Sequence, residues 1–280
     1  MSNPYFITGP ALISFSGGRT SAYMLRKILD AHDGRLPDDV FVTFANTGKE
    51  REETLRFVHD CETHWAVRVH WLEWRGEGQF EEVGYNSASR KGEPFAALID
   101  RNRYLPTAIT RFCTVELKIR TMSRFARTLG WKHWSNIVGL RYDEGHRVMK
   151  ALARNDSGKE RFKAVMPMSK AKATKADVMA FWARQPFDLQ LKSYEGNCDL
   201  CFLKSKEKLK AIIRENPGIE NWWVEQEKKV DDGERYKAGR FLMGHTSMAS
   251  LAQGVADQGF LFNDDDEFDV ECGLTCEPTE

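Results

Sequence analysis

The chain has 280 residues, and its 41 Lys and Arg residues balance its 41 Asp and Glu residues, so its formal net charge is zero. This balance excludes an overall positive field that would attract nucleic acid, but it leaves room for a local basic surface. The first residues show no basic segment followed by a long apolar run, and no stretch is long enough to span a bilayer, so we expect a soluble, cytoplasmic protein. In that compartment the six cysteines are expected to be thiols or metal ligands rather than disulfides.

Apolar runs and helical spacing alternate along the first two thirds of the chain. Short apolar runs predict strands, and apolar residues three or four apart predict helices. We expect strands at 11–15, 40–45, 67–72 and 134–140, and helices at 21–29, 52–65, 116–129 and 174–184, the last with Thr174 as N-cap. Segments 76–103 and 150–163 have no clean period and are expected to be loops. The order predicts an α/β fold, with an open parallel sheet and helices on both faces.

The composition changes near residue 190. We therefore predict an α/β domain over residues 1–190 and a smaller C-terminal region over residues 191–280. That region contains a Cys-x-x-Cys pair, a basic helix at 205–214, an aromatic pair, an acidic run and two late cysteines.

A short loop between the first strand and the first helix has the features of a phosphate site. Adjacent glycines let backbone N–H groups approach an anion, and the N-terminus of the following helix adds donors and partial positive charge. Hydroxyls and one guanidinium stand beside the glycines, and in open parallel sheets ligands bind beyond the carboxyl ends of the strands. We predict nucleotide phosphates on Ser16, Gly17, Gly18, Arg19, Thr20 and Ser21.

This loop resembles the SGGxxS pyrophosphate loop, or PP-loop, of the adenine-nucleotide α-hydrolase-like superfamily, which includes ATP pyrophosphatases, PAPS reductases, tRNA thiolation enzymes and DNA phosphorothioation ATPases. Three later segments resemble PAPS reductase motifs in the same order: 44–58, 139–147 and 167–178. Thr20 stands where most ATP-using members have Asp. The resemblance implies a nucleotide site lined by Asn46, Thr47, Gly48 and Glu50, and catalytic guanidiniums at Arg141 and Arg147.

The cysteines extend the resemblance. In the adenylyl-sulfate branch of that family, cysteines hold a [4Fe–4S] cluster and a C-terminal Glu-Cys-Gly motif supplies the nucleophile, which implies a catalytic Cys272 here. Phe112 and Thr275 depart from that pattern, and the segment around Cys113 is closer to the phosphorothioation ATPases. The implied cluster ligands are Cys113, Cys198 and Cys201, with Cys276 or Cys272 as the fourth. Four thiolates suit zinc equally well, and spacing alone does not separate the two metals.

Two basic runs follow these cysteines. The first contains Lys118, Arg120, Arg124, Arg127 and Lys132, and the second contains Lys204, Lys206, Lys208 and Lys210. Each is either a solvated face, a groove for phosphate or sulfate, or a contact with nucleic acid. No RRM, KH, OB or helix-turn-helix signature supports the last alternative.

Three functional hypotheses follow. The first is a PAPS-reductase-like enzyme that binds an adenylyl sulfate and takes electrons from a thiol protein. The second is an ATP-dependent sulfurtransferase acting on RNA or DNA, with a cysteine desulfurase as partner. The third is a nucleotide-binding regulatory protein without turnover. The oligomeric state stays open at this point.

Overall fold

The computed structural model describes residues 3–232, 239–244 and 246–257. Its centre is a six-stranded sheet in the order β4-β3-β2-β1-β5-β6. All neighbouring strands are parallel except the antiparallel pair β3–β4 at one edge. The strands are β1 (Ala11–Ser14), β2 (Val40–Asn46), β3 (Val69–Trp74), β4 (Phe80–Val83), β5 (Trp134–Ile137) and β6 (Phe162–Val165).

Helices cover both faces of this sheet. A π-helix (Cys113–Arg120) leads directly into α4. The α-helices are α1 (Arg19–Ala31), α2 (Glu52–His64), α3 (Glu93–Asn102), α4 (Thr121–Thr128), α5 (Gly145–Ser157), α6 (Pro167–Lys170), α7 (Lys175–Trp182), α8 (Lys206–Glu215), α9 (Asn221–Asp232) and α10 (Met248–Asp257). The predicted α/β fold with an open, mostly parallel sheet is therefore confirmed.

Alternation along the central strand creates the two layers. Ala11 and Ile13 of β1 are in the core cluster that includes Leu25 of α1 and Val58 of α2. Leu12, between them, faces the other side and belongs to the cluster built on α4. The strand is buried on both faces, which is why its sequence is a continuous apolar run rather than an alternating one.

Two predicted loops contain regular structure, so those predictions were wrong. Segment 76–103 holds β4 and α3, and segment 150–163 holds most of α5 and the start of β6. β4 is an edge strand with the sequence FEEV, so it lacks the apolar content of a central strand. Helix α5 has apolar residues at helical spacing, Val148, Ala151 and Leu152, so its period is present in the sequence and the prediction overlooked it.

The helix predicted at 116–129 begins earlier and starts with π-type turns. By contrast, Thr174 is the N-cap of α7 as predicted. Its side chain accepts a hydrogen bond from the backbone N–H of Asp177, whose carboxylate accepts one from the Thr174 N–H in return. Such a reciprocal capping box satisfies two helix-end donors.

A second core lies beside the sheet and joins the later helices to the first 120 residues. It packs Phe95 and Leu98 of α3 and Leu117 of the π-helix against Leu209 of α8 and Trp223 of α9. Among the described residues, no helix combines the length and the apolar character needed to cross a membrane.

Candidate nucleotide and cysteine site

The sheet order fixes where a ligand site can form. From β1 the chain runs outward through β2 and β3, and it later returns to β5 on the other side of β1. The connections after β1 and β5 therefore diverge to opposite faces and leave a crevice at the carboxyl ends of these two strands, which is where open α/β sheets bind ligands. The predicted phosphate loop follows β1 directly, so it lies in this crevice.

The geometry of the loop depends on its first glycine. Gly17 has φ +81°, and a Cβ at this position would lie 2.6 Å from Cγ2 of Thr54. A side chain here is thus disfavoured by both backbone conformation and space. The Oγ atoms of Ser16 and Ser21 are 3.0 Å apart, and the Ser21 hydroxyl donates to the Gly18 carbonyl at 2.9 Å. The loop is therefore closed by its own hydroxyls at the N-terminus of α1.

The segment after β5 meets this loop from the other side of the crevice. A Cβ on Gly139 would lie 3.3 Å from Cα of Ser21, so glycine permits a close approach. Beyond it, Nη1 of the buried Arg141 donates to Oγ1 of Thr20 at 3.2 Å. The structure thus brings a guanidinium to the first turn of α1, where helix N–H groups lack intrahelical partners.

Two carboxylates orient this guanidinium. Asp143 accepts a hydrogen bond from Arg141 Nε at 3.0 Å, and Glu144 accepts from the Arg141 backbone N–H at 3.0 Å. Glu144 also forms an ion pair with Arg147, so the two predicted guanidiniums are joined through one carboxylate. Asp143 in turn accepts from the N–H of Lys175, which ties the segment to α7.

Arg19 lies in the loop, but its guanidinium contacts the segment that follows α7. Its guanidinium forms a two-point ion pair with Asp188, with Nη2–Oδ2 and Nε–Oδ1 distances of 2.5 and 2.7 Å, and it also donates to the Leu191 carbonyl. In this arrangement Arg19 attaches the loop to the segment that follows α7.

The turn after β2 is built from the residues predicted to line the nucleotide. Asn46 donates to Glu73 at 2.6 Å and accepts from the Gly48 N–H at 3.1 Å. Both the N–H and the hydroxyl of Thr47 donate to Glu50 at 2.8 Å. Asn46 thus ties the turn to β3, and Thr47 and Glu50 hold each other within it, which gives these residues a supporting position beside the crevice.

The Cys-x-x-Cys segment docks on this turn and on the phosphate loop. Backbone hydrogen bonds join Arg51 N–H to the Asn197 carbonyl at 2.7 Å and Asp199 N–H to the Lys49 carbonyl at 2.9 Å. The Asn197 side chain donates to the Ser16 carbonyl at 2.7 Å. The cysteine pair is consequently held next to the predicted phosphate site, although 181 residues separate the two ends of that last contact.

A buried ion pair reinforces the contact. Lys49 Nζ lies 2.6 Å from Oδ2 of Asp199 and over the ring of Trp222, while Trp223 donates its indole N–H to the other carboxylate oxygen at 3.0 Å. Burial raises the pKa of Asp199, and the Lys49 charge works against that rise. The pair is thus a cross-link that depends on both partners.

The two thiols of the pair interact with each other. The Cys198 thiol hydrogen-bonds to the Cys201 sulfur, which lowers the pKa of Cys201 and raises that of Cys198. The Leu203 N–H and the charge of Lys204 also lower the pKa of Cys201. Cys201 is therefore the better candidate for a thiolate, the form that reacts and binds metals. Cys61, by contrast, is fully buried in the main core, where burial raises its thiol pKa.

Comparison with known proteins identifies the fold family. The model of the phosphoadenosine phosphosulfate reductase domain matches residues 10–189, well over half of the chain. The chain belongs to this PAPS reductase domain family. Over 285 aligned residues it is 27% identical to the uncharacterized nin region protein ORF290 of Escherichia phage lambda, covering 95% of this chain and 94% of that protein.

Two further comparisons are weaker. The uncharacterized protein MJ0066 of Methanocaldococcus jannaschii is 25% identical over 221 residues, which are 78% of this chain and 41% of MJ0066. Among solved structures, the U34-tRNA thiolase NcsA from Methanococcus maripaludis with its [4Fe-4S] cluster is 12% identical, with a TM-score of 0.40 and coverage of 91% of this chain and 81% of that one. A TM-score this low supports no conclusion about function.

The described cysteines of this PAPS reductase domain protein do not complete a metal centre. A [4Fe–4S] cluster or a structural zinc needs four ligands. Within the residues that the structure describes, no group of three or more His, Cys, Asp or Glu side chains is arranged to hold a metal. Cys198 and Cys201 lie together, and Cys113 and Cys198 both pack against the second core. Cys272 and Cys276 lie outside the described residues. The cluster, the zinc alternative and the catalytic role of Cys272 therefore stay predictions.

Three residues that build this site were not among the predicted site residues. Asn197, Lys49 and Asp199 join the cysteine segment to the nucleotide side. They act through contacts between segments far apart in the chain, and no local pattern carries that information. Gly139, which lets the segment after β5 approach α1, is by contrast the first residue of the motif segment 139–147.

Proposed function

We propose that this chain is an adenine-nucleotide-dependent enzyme of sulfur chemistry. The observation that carries the proposal is the hydrogen bond from Asn197 to Ser16, because it holds a dithiol beside the phosphate loop. A nucleotide site alone would suit many activities, and a cysteine pair alone would suit a structural metal. Their contact favours chemistry in which a thiol or a bound sulfur acts next to the activated nucleotide.

In this proposal the loop and Arg141 bind the anionic part of the nucleotide. N–H groups of the first turn of α1 and the hydroxyls of Ser16, Thr20 and Ser21 contact phosphate oxygens. Arg141 adds a planar guanidinium, which suits two-point recognition of phosphate or sulfate. Arg147, in the first turn of α5, supplies a second positive charge to the anionic end. The choice between ATP and an adenylyl sulfate then depends on whether the site accepts the terminal phosphates or a sulfate in their place.

The leading reaction is reduction of an adenylyl sulfate. The Cys272 thiolate attacks the sulfate sulfur, an S–S bond forms, the bond from sulfur to the phosphate oxygen breaks, and the nucleotide leaves with its electron pair. One thiol of a dithiol donor protein then attacks the Cys272 sulfur and sulfite leaves. The donor's second thiol resolves the mixed disulfide, so the donor is oxidised by two electrons and Cys272 is restored.

A second candidate reaction is ATP-dependent thiolation of a nucleic acid. The observation that favours it is that Cys113 and Cys198 pack against one apolar cluster, as the resemblance to thiolation enzymes implies. The acceptor oxygen attacks the α-phosphate, the bond to the β-phosphate breaks, and pyrophosphate leaves. Sulfide, released from the persulfide of a desulfurase partner by a thiol reductant that is oxidised to a disulfide, then displaces AMP from the acceptor. The cysteines would hold or guide that sulfur.

Assays on anaerobically purified full-length chain separate these candidates. Calorimetric titration with ATP, AMP, adenylyl sulfate and its 3′-phosphorylated form, with GTP as control, measures nucleotide binding. We expect an adenine nucleotide to bind and GTP not to bind. Sulfite release from an adenylyl sulfate supports the first reaction, and RNA- or DNA-dependent pyrophosphate supports the second. Binding without either product indicates a regulatory protein, and absence of binding to all adenine nucleotides overturns the proposal.

Metal content is measured on the same protein. A brown protein with iron and acid-labile sulfide would support the cluster predicted on Cys113, Cys198, Cys201 and a late cysteine. Replacing Cys201 by Ser is then expected to abolish the iron signal, whereas the matched change Cys61→Ser, in a core thiol, is expected to lower stability and leave iron content unchanged. Zinc in place of iron would make these cysteines structural.

A further inference from the structure

A second candidate surface lies at the opposite end of the sheet from the nucleotide loop. It is a cleft of about 360 Å³ between the helices that cover one face and the beginnings of β5 and β6. The first residues of these strands, Trp134 and Phe162, are buried in its floor. The phosphate loop follows the carboxyl end of β1, so the cleft is a separate site.

The lining of this cleft is strongly basic in a chain of zero net charge. Five of its eleven residues are cationic and one, Glu160, is acidic. The cations come from three parts of the fold: the continuous run of the π-helix and α4, helix α5, and the connection to β6. They are Arg120, Arg127, Arg154, Lys159 and Arg161.

A buried carboxylate of the π-helix is shared by several arginines beside the cleft. Glu116 forms an ion pair with Arg120 and is shared with Arg101 and Arg124, whose guanidinium nitrogens lie 3.8 and 3.6 Å away. One carboxylate therefore faces three guanidiniums. Burial lowers the pKa of Arg124, and the neighbouring arginines lower it further, as expected in a positive local field.

Three of the lining cations are also available to a partner. Arg127, Lys159 and Arg161 are exposed, and their side chains form no ion pair with any residue in the described part of the chain. Long, exposed cationic side chains around an apolar floor differ from the buried polar groups that enclose a small metabolite. They correspond to the contacts that proteins make with phosphates of a nucleic acid backbone.

We propose that this cleft binds the phosphate backbone of a nucleic acid. The lining includes Val115 and Ile119 of the π-helix that starts at Cys113, so the cleft runs along this helix and α4. The proposal goes beyond the proposed function, because backbone binding requires neither nucleotide nor thiol chemistry.

The test is fluorescence anisotropy with the full chain and 5′-labelled single-stranded RNA, an RNA hairpin and duplex DNA, without ATP. The variant Arg127→Glu/Arg161→Glu reverses two lining charges. The matched control Arg35→Glu/Arg184→Glu changes the net charge equally at two exposed arginines outside the cleft lining. We expect the cleft variant to weaken binding at least tenfold and to reduce the slope of log K against log salt by about two. We expect the control to stay within about twofold.

Each outcome decides the proposal. Binding to RNA or to DNA with the expected loss supports it, and the preferred probe identifies the source of the backbone. Equal losses in both charge-reversal variants overturn it, as does the absence of binding to all probes at low salt. Binding to polyglutamate but to no nucleic acid overturns it in favour of an acidic protein partner. If the Glu pair does not fold, Lys159→Gln/Arg161→Gln replaces it, with the same loss expected. Retained adenine-nucleotide binding in the cleft variant separates this result from a failure of the proposed function.

Discussion

Replacing Arg141 by Ala tests the nucleotide site most directly. Arg141 is buried at 6% exposure, and its Nη1 donates to Thr20 at the N-terminus of α1 at 3.2 Å. Its Nε is fixed by Asp143 at 3.0 Å. A hydrogen bond between a charged donor and a ligand anion contributes about 1.5–3 kcal/mol. Since 1.4 kcal/mol corresponds to tenfold, the variant is expected to bind the adenine nucleotide about 10- to 150-fold more weakly.

Two further variants are compared with Arg141→Ala for their nucleotide affinity. Arg141→Lys keeps the charge but loses the planar fork, so its affinity is expected to fall between those of the wild type and Arg141→Ala. Arg19→Ala removes a guanidinium from the same loop, but that group is paired with Asp188 in the structure. We therefore expect Arg19→Ala to lower thermal stability, because it breaks this half-buried ion pair, and to change nucleotide affinity by only about twofold.

Calorimetric titration at fixed pH and salt measures all three affinities, and thermal unfolding confirms that each variant is folded. The expected order of affinity is wild type close to Arg19→Ala, then Arg141→Lys, then Arg141→Ala. If Arg19→Ala weakens binding as much as Arg141→Ala, the phosphates contact Arg19, as the loop sequence alone suggests. An unchanged affinity in Arg141→Ala would refute the placement of phosphate between the loop and the segment after β5.

The remaining predictions concern the supports of the site. Gly17→Ala is expected to destabilise the fold more than Gly34→Ala in thermal unfolding. Both glycines have positive φ, where an alanine is strained by about 1–2 kcal/mol, but of the two only Gly17 would bring its Cβ within 4 Å of other atoms. Equal losses of stability would contradict this steric argument. Lys49→Met leaves the buried Asp199 without its ion-pair partner and is expected to lower the free energy of unfolding in urea by about 3–5 kcal/mol. Adding Asp199→Asn is expected to restore part of that stability. If it restores none, the two residues are not directly paired. Burial raises the pKa of Asp188, but the hydrogen bonds and charge of Arg19 outweigh this effect, so its pKa is lowered. The ionised Asp188 therefore stabilises the fold above its unfolded pKa near 3.9, and this stabilisation is lost as pH falls through the folded pKa. The stability difference between wild type and Asp188→Asn is therefore expected to be constant from about pH 5 to 7 and to vanish at lower pH, and a difference that grew on acidification would refute the sign.

The sequence predicted the central sheet well because its strands are buried on both faces. Strand β1 is a continuous apolar run followed by two glycines, and the N-cap at Thr174 has a local chemical signature. Features at the edge were harder to predict. The edge strand β4 carries two glutamates among its four residues, so it lacks the apolar run of a central strand. Helix α5 was overlooked although Val148, Ala151 and Leu152 have helical spacing.

The π-helix could not be predicted for a different reason. Its apolar residues, such as Leu117 and Ile119, do not specify whether each turn contains 3.6 residues or more. That choice depends on packing against α3 and the sheet, and such insertions often occur next to functional sites. Here the π-helix starts at Cys113 and extends Lys118 to within 3.3 Å of Glu50, so its local geometry bears directly on the candidate site.

The candidate site was predicted in its parts but not in its assembly. The order of motifs indicated the phosphate loop, the turn after β2, the segment after β5 and the cysteine pair. Their meeting depends on β1 lying between β2 and β5, and on the Cys-x-x-Cys segment pairing with residues 49–51 through backbone hydrogen bonds. Because that pairing fixes Cys198 and Cys201 relative to the phosphate loop, the fold sets the distance between these two thiols and a bound nucleotide. A bound nucleotide would therefore present its phosphates at a fixed position relative to Cys201, and the group attached to those phosphates would determine whether sulfur is removed from the nucleotide or transferred to another acceptor.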